Sequence, residues 1–247
     1  MEELGSFLAQ DGLILAAAVT AIAGLMRGYT GFGSSMLMAP VFAILFGPAT
    51  AVVMIITMDV IVSAQLVPRA LGEARWRFVV PMAGAAVAAM PLGAWILAAL
   101  DAGLVTKGMA GLVLALVVVL ASGWRYDGRR SLPLTLGVGA LSGTLMASTS
   151  MGGPPVLIYM LTGRESARFN RANIIVYFAM TGLALICVMA LSGFMTLRAA
   201  GTALILTPVF ALFTYFGARM FRHAEEKIYR RVALVFLAGV AIYTLFR

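Results

Sequence analysis

Two short stretches place hydroxyls, glycines and an arginine in surroundings that are otherwise almost wholly apolar. Residues 24–40 read GLMRGYTGFGSSMLMAP and residues 143–156 read GTLMASTSMGGPPV. The first supplies Arg27, Thr30, Gly31, Gly33, Ser34 and Ser35; the second supplies Ser148, Thr149, Ser150, Gly152, Gly153 and Pro154. Hydroxyls donate hydrogen bonds, glycines let a ligand approach the backbone, and arginine offers a two-pronged fork to an oxyanion. A short helix starting after each break would add unpaired N–H groups and about half a positive charge. Pro154 and Pro155 suit the first turn of such a helix, where a missing N–H costs nothing. The set is suited to holding a small anion. The plainer alternative is that Gly and Ser only let helices pack closely.

A carboxylate complements this set. Asp59, in VMIITMDVIVSAQ, lies midway along an apolar run. Charge there is costly, so Asp59 should face the protein interior and find a partner. It could carry a coupling proton or pair with Arg27; the plainer alternatives are a structural pair or a residue near a pore mouth. Thr57, Ser63 and Gln65 lie near it in the chain. Arg27 could equally reach toward the headgroups. Asn173 and Tyr177 are four residues apart, hence on one helical face, and could line a cavity. Asn170 reads as a helix cap. His223 falls in a basic loop, and Trp76, Trp95 and Trp124 fall near span ends, as interfacial aromatics do. The Met and Phe residues read as lipid-facing or packing residues. The single cysteine, Cys187, allows no internal disulfide or metal cluster. No nucleotide loop, metal-ligand spacing or nucleophile–base set is present. An enzyme is therefore not expected, and neither is a cofactor.

The elements that must position these residues are membrane helices. The 247 residues are 62% hydrophobic and 11% charged, with a mean hydropathy of +1.00. A soluble domain carries about 25% charged residues. Runs long enough to span stand at 48–67, 78–99, 104–121, 172–191, 199–221 and 231–246. The segments 11–46 and 132–162 differ. The first, at 36 residues, would reach ~54 Å as one helix, well beyond a ~30 Å hydrocarbon core. Breaks at Gly28–Ser35 and Ser148–Pro155 would leave second arms, 36–46 and 155–162, too short to cross. The acidic start, Met1–Asp11, lacks the basic region of a signal peptide, so the first apolar run is expected to stay in the mature chain.

The net charge of +8 resides mostly in loops between apolar runs, so it implies no nucleic-acid partner. Four basic clusters, at 69–77, 125–130, 164–171 and 219–231, hold 14 of the 18 Lys and Arg residues and should all be cytoplasmic. Segment 132–162 then enters and leaves on one side, as a re-entrant hairpin. Each half becomes a broken hairpin plus three spans, and the odd number inverts one half relative to the other. The expected fold is an all-α polytopic membrane protein of two inverted repeats, 1–124 and 132–247, forming one membrane domain. A weak internal repeat agrees. An offset of 119 aligns Gly24 with Gly143, Thr30 with Thr149, Gly33 with Gly152 and Arg27 with Met146. An offset of 124 aligns Gly93-Ala94 with Gly217-Ala218.

The chain resembles the sulfite exporter TauE/SafE family of bacterial membrane permeases over nearly its whole length. The resemblance rests on the two Gly-rich breaks, Gly28 to Ser35 with Pro40 and Met151-Gly152-Gly153-Pro154-Pro155, and on the later Gly-Ala pairs in PLGAWI and YFGARM. The family's glycine triplet becomes Gly-Ser-Ser in the first half and Gly-Gly-Pro in the second, which could alter the substrate. The resemblance implies transport of small anions such as sulfite, organosulfonates or short carboxylates. A secondary transporter in a bacterial inner membrane, acting as an exporter, coupled to an ion gradient and working as a monomer or homodimer, is therefore expected. The alternative is an anion channel or passive facilitator with the two breaks as its constriction.

Overall fold

The structure is a computed structural model that describes residues 11–30, 33–122, 131–161, 167–220 and 238–246. Backbone polar groups have no water to turn to inside a bilayer, so the helix, which pairs them within one segment, is the natural solution. The described residues are helical with no strand. The helices are α1 (Asp11–Thr30), α2 (Ser34–Phe46), α3 (Pro48–Ala64), α4 (Val67–Leu71), α5 (Trp76–Ala99) and α6 (Ala102–Ser122) in the first half. The second half holds α7 (Leu132–Thr149), α8 (Gly153–Leu161), α9 (Ala167–Leu191) and α10 (Leu197–Met220), followed by a helical segment at 238–246.

Among the described residues, five helices are long and apolar enough to cross a membrane: α5, α6, α7, α9 and α10. Helices α1, α2 and α3 are apolar but shorter over their searched lengths. The breaks are narrower than the sequence implied. Helix α1 continues through Thr30 and α2 starts at Ser34; α7 continues through Thr149 and α8 starts at Gly153. Left-handed backbone makes each turn, at Gly33 (φ 91°) before α2 and at Ser150 (φ 63°) after α7. Serine pays a steric cost there that glycine does not. Gly47 (φ 84°) turns α2 into α3, whose first residue is Pro48. The expected span at 48–67 ends earlier, at Ala64, and turns into the short α4. Asn170 is not a cap: α9 begins at Ala167 and already contains it, because helical backbone extends into the basic loop. His223, Trp124 and the loop at 222–230 lie outside the described residues.

Close backbone approach sets the helix pairing. Helix α5 packs on α7, and α1 packs on α10. A Cβ at Gly143 would strike the backbone of Ala86, and one at Gly93 would strike that of Thr144. Across the other pair, a Cβ at Gly24 would strike Phe210, and one at Gly217 would strike Leu25. Adding 124 to Ala86 gives Phe210, and adding 119 to Leu25 gives Thr144. The two offsets read from sequence therefore interconvert the two contact sets. Small residues earn this role because association in lipid depends on packing rather than on hydrophobicity. Methionines 36, 38, 54, 58, 82, 90 and 109 are fully buried, filling irregular gaps between helices. Leu15, Val118, Leu191, Leu204 and Leu212 are exposed on the outer surface, as a lipid-facing wall requires.

Candidate functional site

The two breaks meet at one cavity of about 330 Å³. The first break contributes Gly33, Ser34 and Ser35, and the second contributes Ser150, Gly152, Gly153 and Pro154. The starts of α2 and α8 thus face a common space. The first N–H groups of a helix have no partner inside it, so both ends present donors there.

Arg27 lines the same cavity from the last turn of α1, where the negative end of the helix favours a cation. Its guanidinium turns inward. Nη1 donates to Asp59 Oδ1 at 2.5 Å and to Ser34 Oγ at 3.4 Å, and Nη2 donates to Ser63 Oγ at 2.5 Å. Its centre also sits 5.6 Å from the middle of the Phe210 ring, a cation–π distance. Asp59 and Ser63 are four residues apart on α3 and so share a face. Arg27 and Asp59 keep 18% and 23% of their side-chain surface accessible, so the pair faces the cavity rather than being sealed behind it.

The lining is one-sided. The 119-residue offset takes Gly33 to Gly152, Ser34 to Gly153 and Ser35 to Pro154, and all six residues line the cavity. The same offset takes Arg27 to Met146, Asp59 to Phe178, Val60 to Ala179 and Ala64 to Leu183, again all lining. Charge in the first half is thus replaced by a thioether and a phenyl ring in the second. The charged part of the cavity can pair with an oxyanion, and the part around Met146, Phe178 and Leu183 is apolar.

Several residues expected here stand elsewhere. Ser148 Oγ donates to Thr144 O at 2.8 Å and Thr149 Oγ1 to Leu145 O at 2.6 Å, so both hydroxyls satisfy their own helix. Asn173 accepts the Arg75 N–H through Oδ1 at 2.7 Å, anchoring the start of α5. Tyr177 is fully buried. Its hydroxyl donates to Ser142 Oγ at 2.8 Å, which donates to Gly152 O at 2.6 Å. Tyr177 therefore stands behind the second break and props it up. Gly31 and the Thr30 side chain lie outside the described residues. Ser150 differs from its neighbours: its Oγ is buried without a hydrogen-bond partner while the residue lines the cavity.

Ser142, Ser63 and Phe210 were not among the expected site residues. Ser63 carried a signal, its four-residue spacing from Asp59. Ser142 adjoins Gly143 in a small-residue run, which reads as packing. Phe210 reaches Arg27 only through the α1–α10 contact, which no local pattern reveals.

Helices long and apolar enough to cross a membrane, around a mostly apolar cavity with one part-buried ion pair, mark the class as a multi-pass membrane protein. The family model for sulfite exporter TauE/SafE matches residues 16–244, and the chain belongs to that family. Membership makes it a transporter rather than an enzyme and points to sulfur anions as cargo. No curated protein and no solved structure matches the chain significantly.

Proposed function

We propose that the chain is a secondary transporter that binds a small organic anion between the two breaks. The observation that carries this reading is the convergence of both breaks and Arg27 on one cavity. The oxyanion head would sit near Arg27, Ser34 and Ser150, with N–H groups at Ser34, Ser35 and Gly153 as further donors. A short apolar tail would lie against Met146, Phe178 and Leu183. The volume, at the low end of the roughly 300–1,000 Å³ typical of small-molecule sites, leaves room for such a tail. An organosulfonate or short carboxylate therefore suits the cavity better than bare sulfite.

The exchange of glycine contacts under the two offsets supports a pair of inverted repeats with the site between them. In this reading the broken segments 11–46 and 132–162 are hairpins entered from opposite sides of a bacterial inner membrane. An ion gradient drives transport, with Asp59 as the group that carries the coupling proton.

Direct binding tests the reading. Purified protein should bind ethanesulfonate more tightly than sulfite, and liposome flux should saturate with substrate. Gly33→Leu forces a side chain into left-handed backbone at the break, and Gly152→Leu drives one into Ser142. Each should weaken binding by more than the fivefold that ~1 kcal/mol represents. If both variants fold and bind the anion normally, the site lies elsewhere.

A further inference from the structure

We propose that Asp59 occupies the anion's place on Arg27, so that an anion binds only as Asp59 takes up a proton. This rests on reading the cavity as an anion site. The edge of Arg27 toward the cavity is already engaged: Nη1 donates to Asp59 and Ser34 and Nη2 to Ser63, and all three partners line the cavity. An oxyanion that takes this end-on Nη1–Nη2 fork from the cavity displaces the Asp59 carboxylate, itself an oxyanion.

Charge balance gives the direction. Among the described residues, Arg27 and Asp59 are the only charged ones lining the cavity, and together they are neutral. Among the residues whose side chains are described, the helices packed against α3 carry Arg69, Arg77, Lys107, Arg171, Arg198 and Arg219, and none of these lines the cavity. What faces the cavity from those helices is Ser34, Ser35 and Met36 from α2, Val67 and Pro68 from α4, Met146 from α7, and Phe178, Ala179 and Leu183 from α9. A monoanion added to the ionised pair would leave one unbalanced negative charge inside the membrane, which is costly. One proton on Asp59 restores neutrality and turns the displaced carboxylate into a hydrogen-bond donor. The proton and the anion then arrive together and leave together.

Linkage makes this measurable. Anion affinity should rise as pH falls, by up to about tenfold per pH unit where one whole proton is taken up per anion. Ethanesulfonate is the probe, because a sulfonic acid stays ionised and contributes no titration of its own. Calorimetry of wild-type protein in buffers of differing ionisation heat counts the protons bound. One proton per anion in wild type, retained in Asp59→Glu and absent in Asp59→Asn, supports the proposal. Binding to wild type without proton uptake overturns it and leaves the anion site standing. Proton uptake that persists in Asp59→Asn also overturns it. Absence of ethanesulfonate, sulfite and acetate binding at every pH overturns the anion site itself. The wild-type proton count decides the matter even if a variant fails to fold.

Discussion

Met146 and Arg27, related by the 119-residue offset, line the same cavity from equivalent places just ahead of the two breaks. The offset also carries Asp59 to Phe178. An ion pair in one half thus corresponds to an apolar pair in the other. Two such halves give a site a polar end and an apolar end, which a strictly symmetric pair could not. Among the described residues the arrangement also concentrates the cavity's charge on a single pair, so removing either partner has a large effect.

Asp59→Asn should abolish gradient-driven accumulation while leaving anion exchange. Asparagine keeps the shape and one hydrogen-bond acceptor for Arg27 but has no proton to release. Arg27 then carries an uncompensated charge that a bound anion neutralises. Counterflow and net uptake in proteoliposomes separate the two activities. Full accumulation at wild-type expression would reduce Asp59 to a structural role.

Glycine packing makes a stability prediction that is independent of substrate. Gly143→Ala places a methyl group on the Ala86 backbone, and Gly93→Ala places one on that of Thr144. Backbone cannot yield as a side-chain tip does, so each should cost about 1–3 kcal/mol. Gly84→Ala and Gly137→Ala, on the same two helices, meet nothing within 4 Å. They should be neutral or stabilise by up to ~1 kcal/mol, as alanine does in a helix. Thermal unfolding in detergent compares the four. Equal effects would mean that α5 and α7 do not pack in this register.

What could and could not be read from sequence has physical causes. Gly24 and Gly143, aligned by the 119-residue offset, both stand at close helix contacts, because membrane helices that touch rely on small residues. The breaks were legible because Gly, Ser and Pro interrupt an apolar run. Pairing of Arg27 with Asp59 was one of four readings, since cost argues only that a buried carboxylate finds some partner. Ser148, Thr149 and Tyr177 stand off the cavity for a different reason. A hydroxyl in lipid can satisfy its own helix through the carbonyl four residues back, as Ser148 and Thr149 do here. Tyr177 reaches the break only through Ser142, a link between helices that no local pattern encodes.

Topology provides a test of the inverted halves. The basic clusters at 69–77, 125–130, 164–171 and 219–231 should all lie in the cytoplasm, with both termini on the far side. Reporter fusions or cysteine labelling at Ser131 and at Arg247 should then report opposite sides of the membrane. A cytoplasmic C-terminus would remove the odd number of spans per half and with it the inversion. Labelling needs the native Cys187 replaced first, because it is exposed.

Ser150→Ala separates ligand binding from structure. The Ser150 hydroxyl is buried and unpartnered, so deleting it breaks no hydrogen bond in the resting protein. The left-handed backbone at φ 63° is strained for serine and alanine alike. Stability should therefore change little, or rise slightly as an unsatisfied buried group is lost. If the hydroxyl instead donates to a bound oxyanion, affinity for ethanesulfonate should fall by ~1 kcal/mol, about fivefold. Ser148→Ala, two residues earlier, loses a bond to the Thr144 carbonyl and should leave affinity unchanged. Calorimetry and thermal unfolding on both variants give the full pattern. Equal affinities for wild type and Ser150→Ala would remove Ser150 from the anion's surroundings, and a drop for Ser148→Ala alone would place the anion on the other side of the α7 end.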